Sequence, residues 1–404
     1  MKKQLAIAIS VALVSGSALA SSGNEAAIDD LSSFVNSQYE DNQADVKLSS
    51  TKDNTVKISQ TSTSPYGLDG NTAVVDVKGG EDNTVVIDQA SSLNEGFVKM
   101  DGDVDDNYVE LQQMGESDDA QVKVIGNSDD NRVYIEQHGT SEATNNAAVV
   151  SLTSADDNRL SITQGQNNNT EVAISDSDDN RVTIAQTSRN EGHFGGAYVD
   201  LSNGSDQNVV TITQAEWNLT ELNMADSSRN RVEVTQTYGD EAYIDLTESD
   251  DNRISIVQNS ESKFNKADVD LTASDHNVIN VDQNRNNYHG DNGAFVTLDN
   301  SDDNNIKVTQ ARRDSADIDL VGSDDNRIVV AQKTNNTAIV DLADSDDNLI
   351  KVLQNSERSG ATVNLIDSNH NDVRGGIYIE QTSQDWANVS LTGSDYNSVT
   401  IVQR

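Results

Sequence analysis

One pattern, Asn-x-Val/Ile/Leu-x-Val/Ile-x-Gln, returns through most of this 404-residue chain. It runs from Asn54 to Gln60, Asn131 to Gln137, Asn158 to Gln164, Asn180 to Gln186 and Asn252 to Gln258. It runs again from Asn326 to Gln332, Asn348 to Gln354 and Asn397 to Gln403, and the copy Gly375–Gln381 has lost its Asn. Several successive Gln residues, such as Gln164 and Gln186, lie 22 positions apart. A period of this size means stacked supersecondary units, each burying the face of its neighbour.

Within each copy the apolar residues alternate, the mark of a strand with one buried face. In Asn252–Gln258 the inward set is Asn252, Ile254, Ile256 and Gln258, and Arg253, Ser255 and Val257 face out. A second alternating pattern, Asn/Asp-x-Ala-x-Val/Ile-x-Leu, lies between the copies, as at Asn146–Leu152, Asn265–Leu271 and Asn336–Leu342. Two strands per repeat imply a strand-turn-strand coil. The expected fold is all-β: a β-solenoid of about fifteen stacked coils with parallel, in-register strands. Asn131, Gln137, Asn158, Gln164, Asn180, Gln186, Asn252, Gln258, Asn326, Gln332, Asn348, Gln354, Asn397 and Gln403 are then structural ladder residues. Each amide both donates and accepts, so stacking on its own kind satisfies it. Left unpaired, a buried amide costs about 1–3 kcal/mol.

Composition agrees. Hydrophobic residues are 34% of the chain, too few for a thick core and enough for one two strands wide. Cysteine is absent, which removes disulfides and thiolate metal sites. The one proline, Pro65, falls between repeats, as strand pairing requires. A formal charge of −41 argues against nucleic acid and anionic membranes as partners.

The N-terminus reads separately. Lys2 and Lys3, the apolar run Leu5–Val14 and Ala18-Leu19-Ala20 make residues 1–20 a secretory signal peptide, with cleavage expected before Ser21. Residues 21–41 read by their spacing as a short cap, since Ile28, Leu31 and Val35 have helical spacing. Residues 42–404 form the repeat solenoid. No other apolar stretch reaches membrane-spanning length, so membrane insertion is not expected.

The two corners of the coil differ. Ser-Asp-Asp precedes Asn131, Asn180, Asn252, Asn304, Asn326 and Asn348, and these residue types favour tight turns. The corner after Gln varies: it is short after Gln310 and Gln332 and long in 61–70, 138–145, 187–195 and 284–291. Stacking puts the constant corner's carboxylates in columns. Asp129, Asp130, Asp156, Asp157, Asp178, Asp179, Asp302, Asp303, Asp324, Asp325, Asp346 and Asp347 are therefore candidate calcium ligands, calcium being the one cofactor considered. The competing reading is a solvated acidic face, compensated by Arg132, Arg159, Arg181, Arg253 and Arg327. No catalytic or cofactor-binding residue is assigned: the five histidines are scattered, and no nucleophile-elbow, zinc-protease or P-loop motif occurs. An ice-binding face would need regular outward Thr-x-Thr, and the outward positions are mixed.

The pattern resembles the curlin family, the subunits of bacterial curli fibres. Curlin repeats carry Ser-x5-Gln-x4-Asn-x5-Gln with Asn-x-Ala inside. Here Asn-x5-Gln recurs throughout, Asn-x-Ala recurs in the second strand, and Gln89-x4-Asn94 keeps the corner spacing. The likeness covers Asn42 to the end. It departs where the second Gln is Leu and where Ser-Asp-Asp replaces Gly-rich turns. The resemblance implies a secreted, self-assembling amyloid fibre subunit for adhesion and biofilm matrix, with copies of itself or other curlin-like subunits as partners. It also implies export through an outer-membrane pore with accessory proteins, with residues 21–41 as the targeting segment rather than a cap. The rival expectation is a calcium-stabilised surface adhesin that does not polymerise. The strand Asn397–Gln403, followed only by Arg404, has no cap, which favours polymerisation.

Overall fold

The computed structural model describes residues 24–403, except 33–43, 50–53, 63–71, 82–83, 91–93, 106, 115–118, 127–129, 138–145, 166–167, 188–194, 216–217, 238–239, 260–264, 285–291, 312–313, 356–358, 369–376, 383–385, 394, 396–397 and 399. The signal-peptide assignment thus lies outside the described residues. Among the described residues every regular element is a strand. The chain divides into two compact units, Met1–Gly195 and Gly196–Arg404.

In both units successive strands alternate between two sheets, and each strand pairs in parallel with its equivalent one coil away. One sheet carries the Asn-to-Gln strands and is here called the Gln sheet. The other carries the Ala-x-Val-x-Leu strands and is called the Leu sheet. Registers join like to like. In the first unit Leu160, Ile162 and Gln164 lie opposite Val182, Ile184 and Gln186. In the second, Val232, Val234 and Gln236 lie opposite Ile254, Ile256 and Gln258, and Ala267, Val269 and Leu271 lie opposite Ala294, Val296 and Leu298. This is the expected β-solenoid of parallel, in-register coils.

The expected faces are also present. Along Asn252–Gln258 the even positions are buried, Arg253 is exposed, and Ser255 and Val257 are half-buried. Val and Ile dominate the buried rows because branched side chains fit a pleated, half-buried surface. Burying each aliphatic between stacked coils contributes about 1.5–3 kcal/mol.

The variable corner is closed by one repeated bond. Among the described residues, most Gln residues that end a Gln-sheet strand donate from Nε2 to a backbone carbonyl on the entering Leu-sheet strand. Gln310 reaches Ser315 at 2.8 Å; Gln137 reaches Ala147 at 3.0 Å across a longer corner. The same clamp spans loops of different length, so insertions there leave the stack undisturbed.

One N-terminal expectation changes. Asn24–Ser32, inside the segment read as a targeting segment or cap, is a strand paired in parallel with Asn54–Ser62. Its register sets Asn24, Ala26, Ile28 and Asp30 opposite Asn54, Val56, Ile58 and Gln60. The helical spacing of Ile28 and Leu31 is not realised, because the period-two set matches the next coil position by position. Val35 lies outside the described residues.

Candidate functional site

The constant corner is the first candidate. Each residue of Ser-Asp-Asp-Asn has a separate bonding task, clearest around Ser301–Asn304. Ser301 is fully buried; its hydroxyl donates to the Asp299 carbonyl at 3.0 Å and accepts the Ser274 N–H at 3.0 Å. The first Asp is an intercoil acceptor: the Asp324 N–H donates to Asp302 Oδ1, and the Asp346 N–H to Asp324 Oδ1, both at 2.7 Å. In the first unit Asp156 Oδ1 accepts the Asp178 N–H at 2.9 Å.

The second Asp takes the left-handed backbone conformation. φ is 57° at Asp130, 54° at Asp157, 55° at Asp179, 57° at Asp303, 54° at Asp325 and 55° at Asp347. Asp and Asn tolerate this region where most side chains clash. A second left-handed residue precedes the Ser, as at Asn300 and Asp344. The composition of the corner thus follows from backbone geometry and intercoil bonding. Asp129 lies outside the described residues.

As a metal site the corner is less developed. Among the described residues no group of three or more His, Asp or Glu side chains is placed to hold a metal ion. The second-Asp carboxylates are exposed and stacked. Slight burial raises the Asp325 carboxyl above its usual range, and the charges of Asp303 and Asp347 push the same way. The arginines do not sit among the aspartates: Arg132, Arg159 and Arg181 stack on one another on the outward face of the Gln sheet. Among the described residues the corner holds Arg229 at 3.1 Å from Asp206 and His276 Nε2 at 3.5 Å from Asp303 Oδ2.

The amide ladders are the second candidate. Gln137 Nε2 donates to Gln164 Oε1 at 2.7 Å, and Gln164 to Gln186 at 2.9 Å. In the second unit Gln332 donates to Gln354 and Gln354 to Gln381, both at 2.8 Å. Gln381 therefore joins the ladder although its repeat has lost the Asn. Gln403 is opposite Gln381 in register, and Asn397 lies outside the described residues.

The Asn ladder changes within the first unit. Asn131 Nδ2 donates to Asn158 Oδ1 at 2.8 Å; Asn158 Nδ2 donates both to Asn180 Oδ1 at 2.8 Å and to the Ala155 carbonyl of its own turn, and Asn180 Nδ2 closes on the Ser177 carbonyl. In the second, the ladder runs through the backbone. The N–H groups of Asn252, Asn304 and Asn326 donate at 2.9 Å to Oδ1 of Asn277, Asn326 and Asn348. The side-chain Nδ2 instead closes its own turn, from Asn326 to the Ser323 carbonyl and from Asn348 to the Ser345 carbonyl, both at 2.7 Å. Side-chain stacking was the expectation; the tight turn brings the Ser carbonyl nearer than the next amide's oxygen.

Two features escaped the sequence reading. The outward face of the Leu sheet in the second unit carries its own acidic columns: Asp245 lies opposite Asp270, and Asp319 opposite Asp341. Burial raises the Asp245, Asp317 and Asp319 carboxyls, with neighbouring carboxylates adding to it. The signal lay in the outward positions of the second pattern. Lys266 interrupts this face, 2.8 Å from Asp268 and 4.5 Å from the Tyr243 ring centroid.

The other feature is a pair of buried acids, Asp240 and Asp314, at the Asn position that opens a Leu-sheet strand; they are 0% and 2% exposed. Burial pushes each carboxyl up to about 7. The Asn/Asp alternation at that position was the available signal. No family model, no curated protein and no solved structure matches this chain.

Proposed function

We propose that this chain is a secreted structural subunit of a curli-like extracellular amyloid fibre, acting in cell adhesion and biofilm matrix. The observation that carries the reading is the like-to-like parallel register of successive coils: Val232, Val234 and Gln236 lie opposite Ile254, Ile256 and Gln258, and Ile379 and Gln381 lie opposite Ile401 and Gln403. A coil of the same pattern from a second copy would meet the edge of a strand such as Thr400–Gln403 aliphatic to aliphatic and Gln to Gln. The role is structural rather than catalytic, and the partners are copies of this chain or other curlin-like subunits. Export through an outer-membrane pore with helper proteins belongs to the same reading and rests on the resemblance.

The test is electron microscopy of the purified mature chain over time, with thioflavin T binding. Fibres are expected, and Ile401→Pro should block growth at that edge, because proline removes a ladder donor. Fibre growth unchanged by Ile401→Pro would count against stacking at this edge.

The second reading is a calcium-stabilised adhesin that does not polymerise. It is favoured by the stacked carboxylates of Asp303, Asp325 and Asp347: slight burial first, and then the charges of Asp303 and Asp347, hold the Asp325 carboxyl up. Calorimetric titration with calcium at fixed ionic strength decides it. Heat absent from the wild type, or unchanged when these three become Asn, removes calcium from the account.

A further inference from the structure

The position that opens each Leu-sheet strand forms its own polar column. In the second unit, register puts Asn218 next to Asp240, and Asp240 next to Asn265. Further along the same column, Asn292 lies opposite Asp314. Most members are amides; two are acids.

Asp240 is fully buried, and only one of its oxygens is engaged: Oδ1 accepts from Asn218 Nδ2 at 3.2 Å. Oδ2 has no partner. On the next coil Asn265 is 1% exposed, and neither atom of its amide has a partner. The backbones of the two coils are joined beside them, the Lys266 N–H donating to the Asp240 carbonyl at 2.9 Å. Three orphaned polar atoms thus share one buried rung.

Among the described residues no charge faces them. The inward neighbours are Asn218, Ala242 and Asn265 on the Leu sheet and Gln236 and Gln258 on the Gln sheet. The charged and titratable groups of the same elements occupy the alternate, outward positions: Glu241, Tyr243 and Asp245 on its own strand, Glu221 on the strand before, Lys266, Asp268 and Asp270 on the strand after. Arg231, Glu233 and Arg253 do so on the Gln sheet. An ionised Asp240 would be a buried anion with no cation among the described residues to meet it, which is strongly unfavourable. A neutral carboxylic acid has nearly the shape of an Asn amide and offers one O–H donor.

We propose that Asp240 is a proton-binding rung of this column: its carboxyl takes up a proton on Oδ2 and donates it to Asn265 Oδ1, so that the two coils are fully joined only when Asp240 is neutral. The rung makes local stability of the solenoid sensitive to pH near neutrality. Burial pushes the Asp240 carboxyl up to about 7, against the opposing effect of the Asn218 hydrogen bond. A folded-state value above the unfolded one of about 3.9 fixes the sign. The contribution is complete below about pH 4 and is lost as pH rises through about 7.

Asp314 is a weaker second instance. Its Oδ1 has no partner, but Oδ2 accepts the Lys333 and Thr334 N–H groups at 3.0 and 3.4 Å. Those donors support the anion. The groups around it are Gln310 and Gln332 inward, Asp317 and Asp319 outward on its own strand, Asp341 outward on the following strand, and the exposed Lys333.

The inference concerns the stability of one chain and does not depend on fibre formation. The experiment is urea unfolding of the full chain between about pH 5 and 9 at fixed ionic strength, comparing wild type with Asp240→Asn and Asp314→Asn. All other titratable groups are common to the three proteins, so the differences isolate the acids. The wild-type midpoint should fall from about pH 5 through about 7 and level off above that. Asp240→Asn should flatten that fall and stand above the wild type at the alkaline end. A variant curve parallel to the wild type overturns the proposal. So does recovery of the wild type, but not of Asp240→Asn, on adding sodium, potassium or calcium at alkaline pH, since Asp240 would then be a cation ligand. Should Asp240→Asn fail to fold, the infrared carbonyl band of a protonated carboxyl in Asp314→Asn decides. A band that titrates near pH 7 upholds the proposal, and its absence at about pH 6 overturns it.

Discussion

At the constant corner around Asn304, polar side chains bond across coils or within the turn. Ser301 bridges two coils, Asp302 accepts the next coil's N–H, and Asn304 both receives the Asn277 N–H and closes on the Ser301 carbonyl. At the variable corner of the same unit, Asp240 Oδ2, both amide atoms of Asn265, Asp314 Oδ1, Gln283 Oε1 and Gln310 Oε1 have no partner. The difference lies in what each corner keeps constant. The Ser-Asp-Asp turn repeats with one length, so each donor finds the same acceptor one coil away. The variable corner changes length, and its ladder also changes direction: Gln283 donates back to Gln258, whereas Gln310 donates forward to Gln332. Between opposed donors an oxygen is left over. An acid at the exposed, regular corner is a useful acceptor; an acid inside the irregular buried column needs a proton.

The largest expected effect tests the core that both corners serve. Ile256→Asp puts a charge between stacked strands at a position 0% exposed. It should cost on the order of 4 kcal/mol and make the chain protease-sensitive near Gln258. Intact resistance to limited proteolysis would mean that this face is not buried.

Next, Asn326→Asp should turn the regular corner into a copy of the irregular one. It keeps the oxygen that accepts the Asn304 N–H but loses the donor to the Ser323 carbonyl, and it brings a buried charge. A loss of about 2–3 kcal/mol is expected at alkaline pH, shrinking as the carboxyl is protonated. It should respond to pH in the sense opposite to Asp240→Asn, and urea midpoints at two pH values read both.

Ser301→Ala removes the acceptor of the buried Ser274 N–H. The expected cost is about 1–3 kcal/mol in the urea midpoint, and an unaffected midpoint would show that water reaches this turn.

Asp303→Val tests the left-handed backbone alone, at φ 57°. About 1–2 kcal/mol should be lost, while Asp303→Gly should hold or gain stability in thermal unfolding. If Val and Gly behave alike, the carboxylate and not the conformation explains the residue.

The smallest effect is Ser255→Asp. It stands one position from Ile256 on the half-buried, outward face and should stay within about 0.5 kcal/mol of wild type. Its contrast with Ile256→Asp measures how sharply the sheet separates its faces.

The sequence by itself determined the fold class, the two-strand coil, the inward and outward faces and the difference between the corners. All of these follow from periodicity: alternation decides which side chains share a face, and a fixed repeat decides which residues lie opposite one another. It also marked Asn326, Gln332, Asn348 and Gln354 as ladder residues. Tertiary structure alone decided how the ladders are wired. Whether an Asn amide reaches the next amide, as at Asn131, its own turn, as at Asn326, or both, as at Asn158, depends on the geometry of the turn. Tertiary structure likewise set Asp240 and Asp314 apart from the other acids. In sequence Asp240 and Asp302 are alike; one is sealed beside an unpartnered amide and the other lies at a turn that offers it an N–H. Composition counts charges, but burial and available donors decide which of them the fold can keep ionised.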